Sequence, residues 1–236
     1  LYYSATLREG MEQTLPPNVM NHYRNNKPAY ESISENLSET KAAFFSADRS
    51  QQIRMLQQSH SFAVISVQTP VEIHESAFSQ LWANDEPSEN LQSALESVNY
   101  RNQKERYIRH SLRNGHLWSD VADMLENGDI DSAHKMILDE FKGVGPAKAP
   151  FTLSMLGFES KMCIDANIIN AMGLDGHVST VVVEKYDSIC DSLRQKMPTL
   201  SSMVSPFMFQ WITFDYQRGN ISDHSVFFDV VQYSDK

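Results

Sequence analysis

The sequence predicts an all-α protein, and three observations carry that prediction. Apolar residues recur at helical intervals along most of the chain. Short breaks built from Gly, Asn or Asp, such as "NG" at 114–115 and "NGD" at 127–129, separate several of the periodic segments. No convincing run of alternating apolar and polar residues is present to found a sheet.

Taken in order, residues 1–27 are polar, carry Pro16-Pro17, and read as an arm or irregular cap with room for a short helical turn. From Pro28 the pattern turns helical, with Tyr30, Ile33, Leu37 and Phe44 near helical spacing. The apolar stretch "SFAVISVQ" (61–68) passes for a strand. Its continuation "TPVEIHESAFSQLWA" reads as a helix with Thr69 as N-cap, Pro70 at the first helical position and a partial apolar face of Val71, Phe78, Leu81 and Trp82. Further helices are expected at 88–99, 101–114, 116–126, 130–141, 146–157, 166–172, 180–196, 204–217 and 223–232. "STVVVEKY" (179–186) is β-branched, but it is short and isolated. The sum is about ten helices with no internal repeat.

The chain of 236 residues suffices for one large domain or two small lobes. Its apolar content of 41% and charged content of 21% are those of an ordinary globular protein. No stretch approaches the roughly 20 apolar residues of a membrane span, and the opening "LYYSATLREG" has neither a positive segment nor a long apolar run, so no secretory leader is expected. Two cysteines, Cys163 and Cys190, without a C-x-x-C pair exclude a cysteine-ligated zinc or iron–sulfur site and point to a reducing, intracellular compartment. His74, His110, His116 and His134 show no ligand spacing, so no metal and no cofactor is expected. The net charge of −10 argues against a broad, non-specific nucleic-acid footprint but leaves room for a local basic face.

The stretch "EFKGVGPAKAPFTLSMLGFESKMCIDANIIN" (140–170) is the most informative. Gly143 and Gly145 permit a tight turn, Pro146 suits the first turn of a following helix, and Val144 would plug the turn into the core. Such a hairpin is either an ordinary inter-helix turn or a cradle whose outward N–H groups hold a phosphate oxygen, with Lys142 and Lys148 adding charge. Asp165 follows 22 residues after Gly143, directly behind Met162, Cys163 and Ile164. A carboxylate there is a poorly solvated cleft acid, a cap for the helix "ANIIN", or both.

Together these residues resemble the helix–hairpin–helix (HhH-GPD) DNA glycosylase superfamily, which includes endonuclease III, the adenine glycosylase and the oxoguanine glycosylase. The family's G-V-G hairpin is followed by an aspartate in a V-D-x-H-V-x-R setting. Here it reads "IDANIIN", so Asp165 matches while Asn167 and Asn170 stand where His and Arg are usual. "AVISVQTPVEIHESAFSQLW" (63–82) is similar to the family's L-L-S-x-Q-T helix, with Gln68 at the residue that lies near the DNA gap. "VNYRNQKERYIRH" (98–110) is similar to the G-F-Y-x-x-K-A-x-x-I segment. The resemblance covers residues 60–175 and implies a two-lobed helical fold with a cleft between the lobes. Residues 1–59 and 176–236 would build the second lobe and 60–175 the hairpin-bearing one.

The resemblance further implies a monomeric enzyme that cleaves an N-glycosidic bond in duplex DNA after flipping a nucleotide, with Asp165 stabilising positive charge on the sugar. The hairpin, Gly143, Val144 and Gly145 with Lys142, would bind a phosphate, and Gln68 would fill the gap. Arg101 and Lys104 lie in a basic segment with Arg106, Arg109 and Arg113 that is either a DNA-facing surface or a solvated face with internal ion pairs. The Schiff-base lysine of bifunctional relatives is replaced by Ala147. Lys148, one residue on, should be turned about 100° away on a helix, which implies a monofunctional enzyme. Two rivals remain: a phage-type transferase that replaces a pyrophosphate on a hydroxymethyl pyrimidine with an amine, and a silent DNA-binding module. Trp118, Trp211 and Phe214 read as core, and "FQWITFDYQRGN" (209–220) as a helix with one polar edge or as a second cleft wall.

Overall fold

The computed structural model describes residues 17–83, 86–165, 168–169, 185–191 and 204–232. Every regular element among the described residues is a helix: α1 (Pro17–Asn25), α2 (Lys27–Ser46), α3 (Arg49–Ser66), α4 (Val71–Leu81), α5 (Leu91–Ala94), α6 (Arg101–Arg113), α7 (Gly115–Glu126), α8 (Ile130–Glu140), α9 (Ala149–Ser154), α10 (Pro206–Arg218) and α11 (Ser225–Gln232). Residues 185–191 are also helical. Most of "STVVVEKY", the segment 166–172 apart from two helical residues, and much of 180–196 lie outside the described residues.

The central element is α3, which packs against α2, α4, α6, α7, α9 and α11. Residues 58–65 are buried without a break. That is why "SFAVISVQ" passes for a strand: a helix covered on all sides loses its amphipathic period, and its last turns read as a continuous apolar run. The lobe boundary expected at 59/60 falls inside this continuous helix. Its start is fixed by a capping box, in which the Asp48 carboxylate accepts from Gln51 N–H (2.9 Å) and the Gln51 side chain accepts from Asp48 N–H (3.0 Å). Phe62 sits at the hub, with its ring centroid 4.0 Å from His74, 4.9 Å from Phe78, 4.9 Å from Phe227 and 5.9 Å from Phe151.

The N- and C-terminal helices pack together, α10 on α1 and α2, and α11 on α2, α3 and α4. A polar chain ties them. Tyr30 O–H donates to Asp215 Oδ2 (3.2 Å), Ser222 N–H donates to Asp215 Oδ1 (3.2 Å), and His22 Nε2 lies 2.8 Å from the Tyr30 oxygen. Burial raises the Asp215 carboxyl to about 7. At Gly157 (φ +83°) an added Cβ would lie 2.3 Å from the Leu37 carbonyl, so only glycine lets this turn approach α2.

Several expected boundaries shift. Thr69 does not cap α4; Pro70 holds the N-cap position, and Thr69 is engaged elsewhere. The helix expected at 88–99 shrinks to α5, followed by turns. The helix expected at 146–157 begins only at Ala149, because residues 146–148 form a turn closed by Lys148 N–H to the Gly145 carbonyl (2.8 Å).

His60 lies fully buried between Trp118 and Phe141, with ring centroids 5.5 and 5.6 Å away. Burial lowers its pKa to about 3, outweighing the nearby Lys142 backbone, which favours the charged form. The unfolded chain, with a pKa near 6.5, therefore binds more protons between pH 6.5 and 3. Stability from this group is full above pH 6.5 and is lost as pH falls. Asp215 acts with the opposite sign over an overlapping range, so the variant comparison isolates His60. His60→Leu is expected to lose up to about 2.7 kcal/mol less stability than the parent between pH 6.5 and 4.5, as measured by urea unfolding at each pH.

Candidate active site

The G-V-G hairpin joins α8 to α9. Val144 is buried, whereas Lys142 and Gly145 are exposed. The two glycines have different reasons. Gly143 has φ +97°, and an added Cβ would lie 2.6 Å from Tyr107 Cδ2 and 2.9 Å from Val64 Cγ2. Gly145 has open space around it, with nothing within 4 Å of an added Cβ.

Lys148 is where the structure departs most from expectation. Since α9 starts after it, Lys148 sits at the N-cap position with φ −111° and ψ −20°, and the rotation expected for a regular helix starting at Pro146 does not apply. Ala147 packs against the small cluster of Met162, Ile164 and Phe209, while Lys148 turns into a cavity of about 200 Å³. Asp165 lines the same cavity. The Lys148 ammonium lies over the Phe151 ring, 4.4 Å from its centroid. Asp165 also caps the next helix, its Oδ1 accepting from Ile168 N–H (3.1 Å), so the cap and cleft readings hold together. Asn167 and Asn170 lie outside the described residues.

The opposite wall comes from α10 and the residues before α11. Gln210, Trp211, Phe214, Arg218 and His224 face Lys148 and Asp165 across the cavity, and His74 closes it from α4. The stretch 209–220 is thus a cleft wall; of the three aromatics read as core, Trp118 is stacked on Phe141 at 3.8 Å, Trp211 is buried in the core and also lines the cavity, and Phe214 is half-buried in the wall. His74 and Gln210 were missed by sequence reasoning, because a histidine or glutamine on an apolar helix face looks like any other buried polar residue.

A second groove adjoins the first, lined by Val64, Val67, Gln68, Tyr100, Gln103, Lys104, Tyr107 and Gly143. Gln68 is exposed with φ +52°, and its carbonyl accepts from Asn99 Nδ2 (2.6 Å). Tyr100 also has positive φ, +59°, and is 63% exposed. Two non-glycine residues in the left-handed region side by side are uncommon. Tyr100 carries no motif of its own and was not singled out from sequence.

Lys104 does not face outward. It is buried, and its ammonium donates to the carbonyls of Ile65 (2.9 Å) and Val67 (2.5 Å) and to Thr69 Oγ1 (2.8 Å). It closes the C-terminal end of α3, where free carbonyls and the helix dipole favour a cation. Burial, and then the nearby Lys148 charge, lowers its pKa to about 8. Arg109 pairs with Glu105 (2.8 Å), which leaves Arg101, Arg106 and Arg113 as the exposed bases of α6.

The unequal roles of the glycines give a direct test. Gly143→Ala is expected to cost on the order of 2 kcal/mol, through positive φ and the clash with Tyr107. Gly145→Ala should stay within about 0.5 kcal/mol of the parent. Urea titrations of the two variants measure both.

No protein-family model and no curated sequence matches the chain. Solved structures do. The 8-oxoguanine DNA glycosylase of Thermotoga maritima is similar with a TM-score of 0.67 at 16% identity, covering 89% of this chain and 100% of that one. The 8-oxoguanine DNA glycosylase of Methanocaldococcus jannaschii is similar with a TM-score of 0.65 at 16% identity, over 93% and 97% of the two chains. A structure of the Methanocaldococcus jannaschii 8-oxoguanine glycosylase/lyase in complex with a 15mer DNA containing 8-oxoguanine gives 0.67 at 17% identity, over 86% and 98%. The chain therefore has the all-helical fold of the HhH-GPD DNA glycosylases.

Proposed function

We propose that this protein is a DNA glycosylase-type enzyme that receives a flipped nucleotide in the aromatic-walled cavity and cleaves its N-glycosidic bond. The observation that carries the reading is the convergence of Asp165 and Lys148 on one cavity immediately behind the G-V-G hairpin. In this reading the Asp165 carboxylate stabilises the positive charge that develops on the sugar as the base departs. Exposed Gly145 and Lys142 on the hairpin meet a backbone phosphate, with the exposed bases of α6 adding attraction. Gln68 and Tyr100, held at the rim by their left-handed backbone, occupy the gap that the flipped nucleotide leaves. The protein would act as a monomer.

Two nucleophiles are available. Ala147 at the lysine position of bifunctional relatives favours an activated water and a monofunctional enzyme. The position of Lys148 in the cavity favours its amine instead, and this is the reading we adopt. The Lys148 ammonium first gives a proton to solvent, and the amine's lone pair forms a bond to the anomeric carbon as the carbon–nitrogen bond to the base breaks; the base leaves with that electron pair and takes up a proton from water. The bound amine then passes a proton to the ring oxygen as the ring carbon–oxygen bond breaks, which leaves a Schiff base on Lys148.

The test is single-turnover reaction on oligonucleotides carrying varied modified bases, read by mass spectrometry. A free base and a borohydride-trapped protein–DNA adduct, absent in Lys148→Ala, are the expected result. A free base with no adduct would return the nucleophile to water. An altered base still attached to DNA would favour group transfer over excision. Asp165→Asn should keep DNA binding and slow turnover roughly a hundredfold or more, on the order of 3 kcal/mol of barrier. Full activity in that variant would reduce Asp165 to a helix cap. Gly145→Val, which has room to fold, should weaken DNA binding, and unchanged binding would remove the hairpin from the interface.

A further inference from the structure

The cavity contains two polar atoms that the fold itself does not use. His74 is 2% exposed and Gln210 is 7% exposed. His74 Nε2 and Gln210 Oε1 have no hydrogen-bond partner among the described residues, yet both side chains line the cavity beside Lys148 and Asp165. Buried polar atoms are almost always paired, so two left over in one cavity point to a ligand that pairs them.

Four other polar side chains of the wall already have partners. Ser66 Oγ donates to the Ala63 carbonyl (2.8 Å), and Thr69 Oγ1 accepts from Lys104. Trp211 Nε1 donates to the Ser222 carbonyl (2.7 Å). His224 Nδ1 lies 2.8 Å from Glu75 Oε1. Phe151, Trp211 and Phe214 add flat apolar surface. A planar ligand would be stacked by the aromatics and read at its edge by His74 and Gln210.

We propose that His74 and Gln210 are the specificity-determining residues of this site, and that together they read the donor–acceptor edge of an uncharged nucleobase. The proposal rests on the DNA reading above and names what that site selects. Gln210 Oε1 can only accept, so it takes an N–H of the base; His74 Nε2–H then donates to the neighbouring carbonyl or ring nitrogen. Burial first, and then His224, Lys148 and Lys104, hold the imidazole neutral, which leaves Nε2 able to carry a single hydrogen in a fixed direction. Neither Gln210 nor the neutral imidazole carries a charge to pair with an ionised base edge, so the edge they read is a neutral one.

Methylation of the edge nitrogen tests this, because it removes the N–H while keeping the ring neutral and the carbonyl in place. Binding of the Asp165→Asn protein would be measured on duplexes carrying hypoxanthine or 1-methylhypoxanthine, and uracil or 3-methyluracil. Each base is set opposite a tetrahydrofuran spacer so that pairing does not differ. A duplex with the spacer in both strands is the control. At least one parent base should bind more tightly than the control, and its methylated form about tenfold or more weaker than the parent. Gln210→Met should erase that difference without changing affinity for the control, and His74→Leu should weaken the parent base alone. Equal binding of parent and methylated bases, a difference that survives both substitutions, or no parent base above the control would overturn the proposal while leaving the DNA reading intact. Failure to bind even the control would remove the DNA reading and this proposal with it.

Discussion

Burial of the C-terminal half of α3 on every side is the constraint from which the rest of the structure follows. A helix end enclosed in the protein cannot send its C=O groups to water, whereas the start of α3 at Asp48 is exposed. Its start is closed by the Asp48–Gln51 capping box and its end by the Lys104 ammonium. The second of these has a functional consequence. By fixing the carbonyls of Ile65 and Val67, Lys104 sets where the chain leaves α3, and so where Gln68 and the start of α4 stand. A cation that the sequence offers as a surface contact thus acts as an internal brace between the two grooves.

The same burial explains the unusual polar load of the centre. Gln58, Ser59 and His60 are enclosed together, and Ser59 Oγ donates to the Thr152 carbonyl at 2.6 Å, tying α3 to α9 just behind the hairpin. His60 underlies the hairpin's approach and is held neutral by its surroundings. The hairpin therefore rests on a rigid, mostly aromatic base, while Gly145 and Lys142 remain open to solvent. Close-packed support beneath an exposed turn fits the anion cradle proposed for the hairpin, since pre-organised amides need no reordering on binding.

The cavity divides its chemistry unevenly between its walls. One side, from the hairpin and the residues before 168, carries the charged pair Lys148 and Asp165; the other, from α4, α10 and the loop before α11, carries aromatic rings, the orphan polar atoms of His74 and Gln210, and Arg218 near its edge beside Glu72. An acid and an amine in a partly enclosed apolar space act more strongly on developing charge than they would in water. Under the proposed reading, His74 and Gln210 on the facing wall discriminate hydrogen-bond pattern.

The sequence by itself determined the helical class, the hairpin and the acid. Those features are local: helical periodicity, the turn residues Gly143 and Gly145, and an aspartate at the start of a helix are written in consecutive residues. It also marked Gln68, by position within a motif. What only the tertiary structure decided was direction. Lys148 enters the cavity because α9 begins at Ala149, and where a helix starts after a Gly-Val-Gly-Pro turn is fixed by packing, not by propensity. Lys104 turns inward because the end of α3, 39 residues earlier at Ile65, requires a cation. His74, Gln210 and Asp165 come to line one cavity only when α4 and α10 are folded against the hairpin, which no periodicity in the chain encodes. One-dimensional pattern fixes which face of a helix is apolar; the partner that covers that face, and the polar atoms enclosed with it, depend on contacts between residues far apart in the chain.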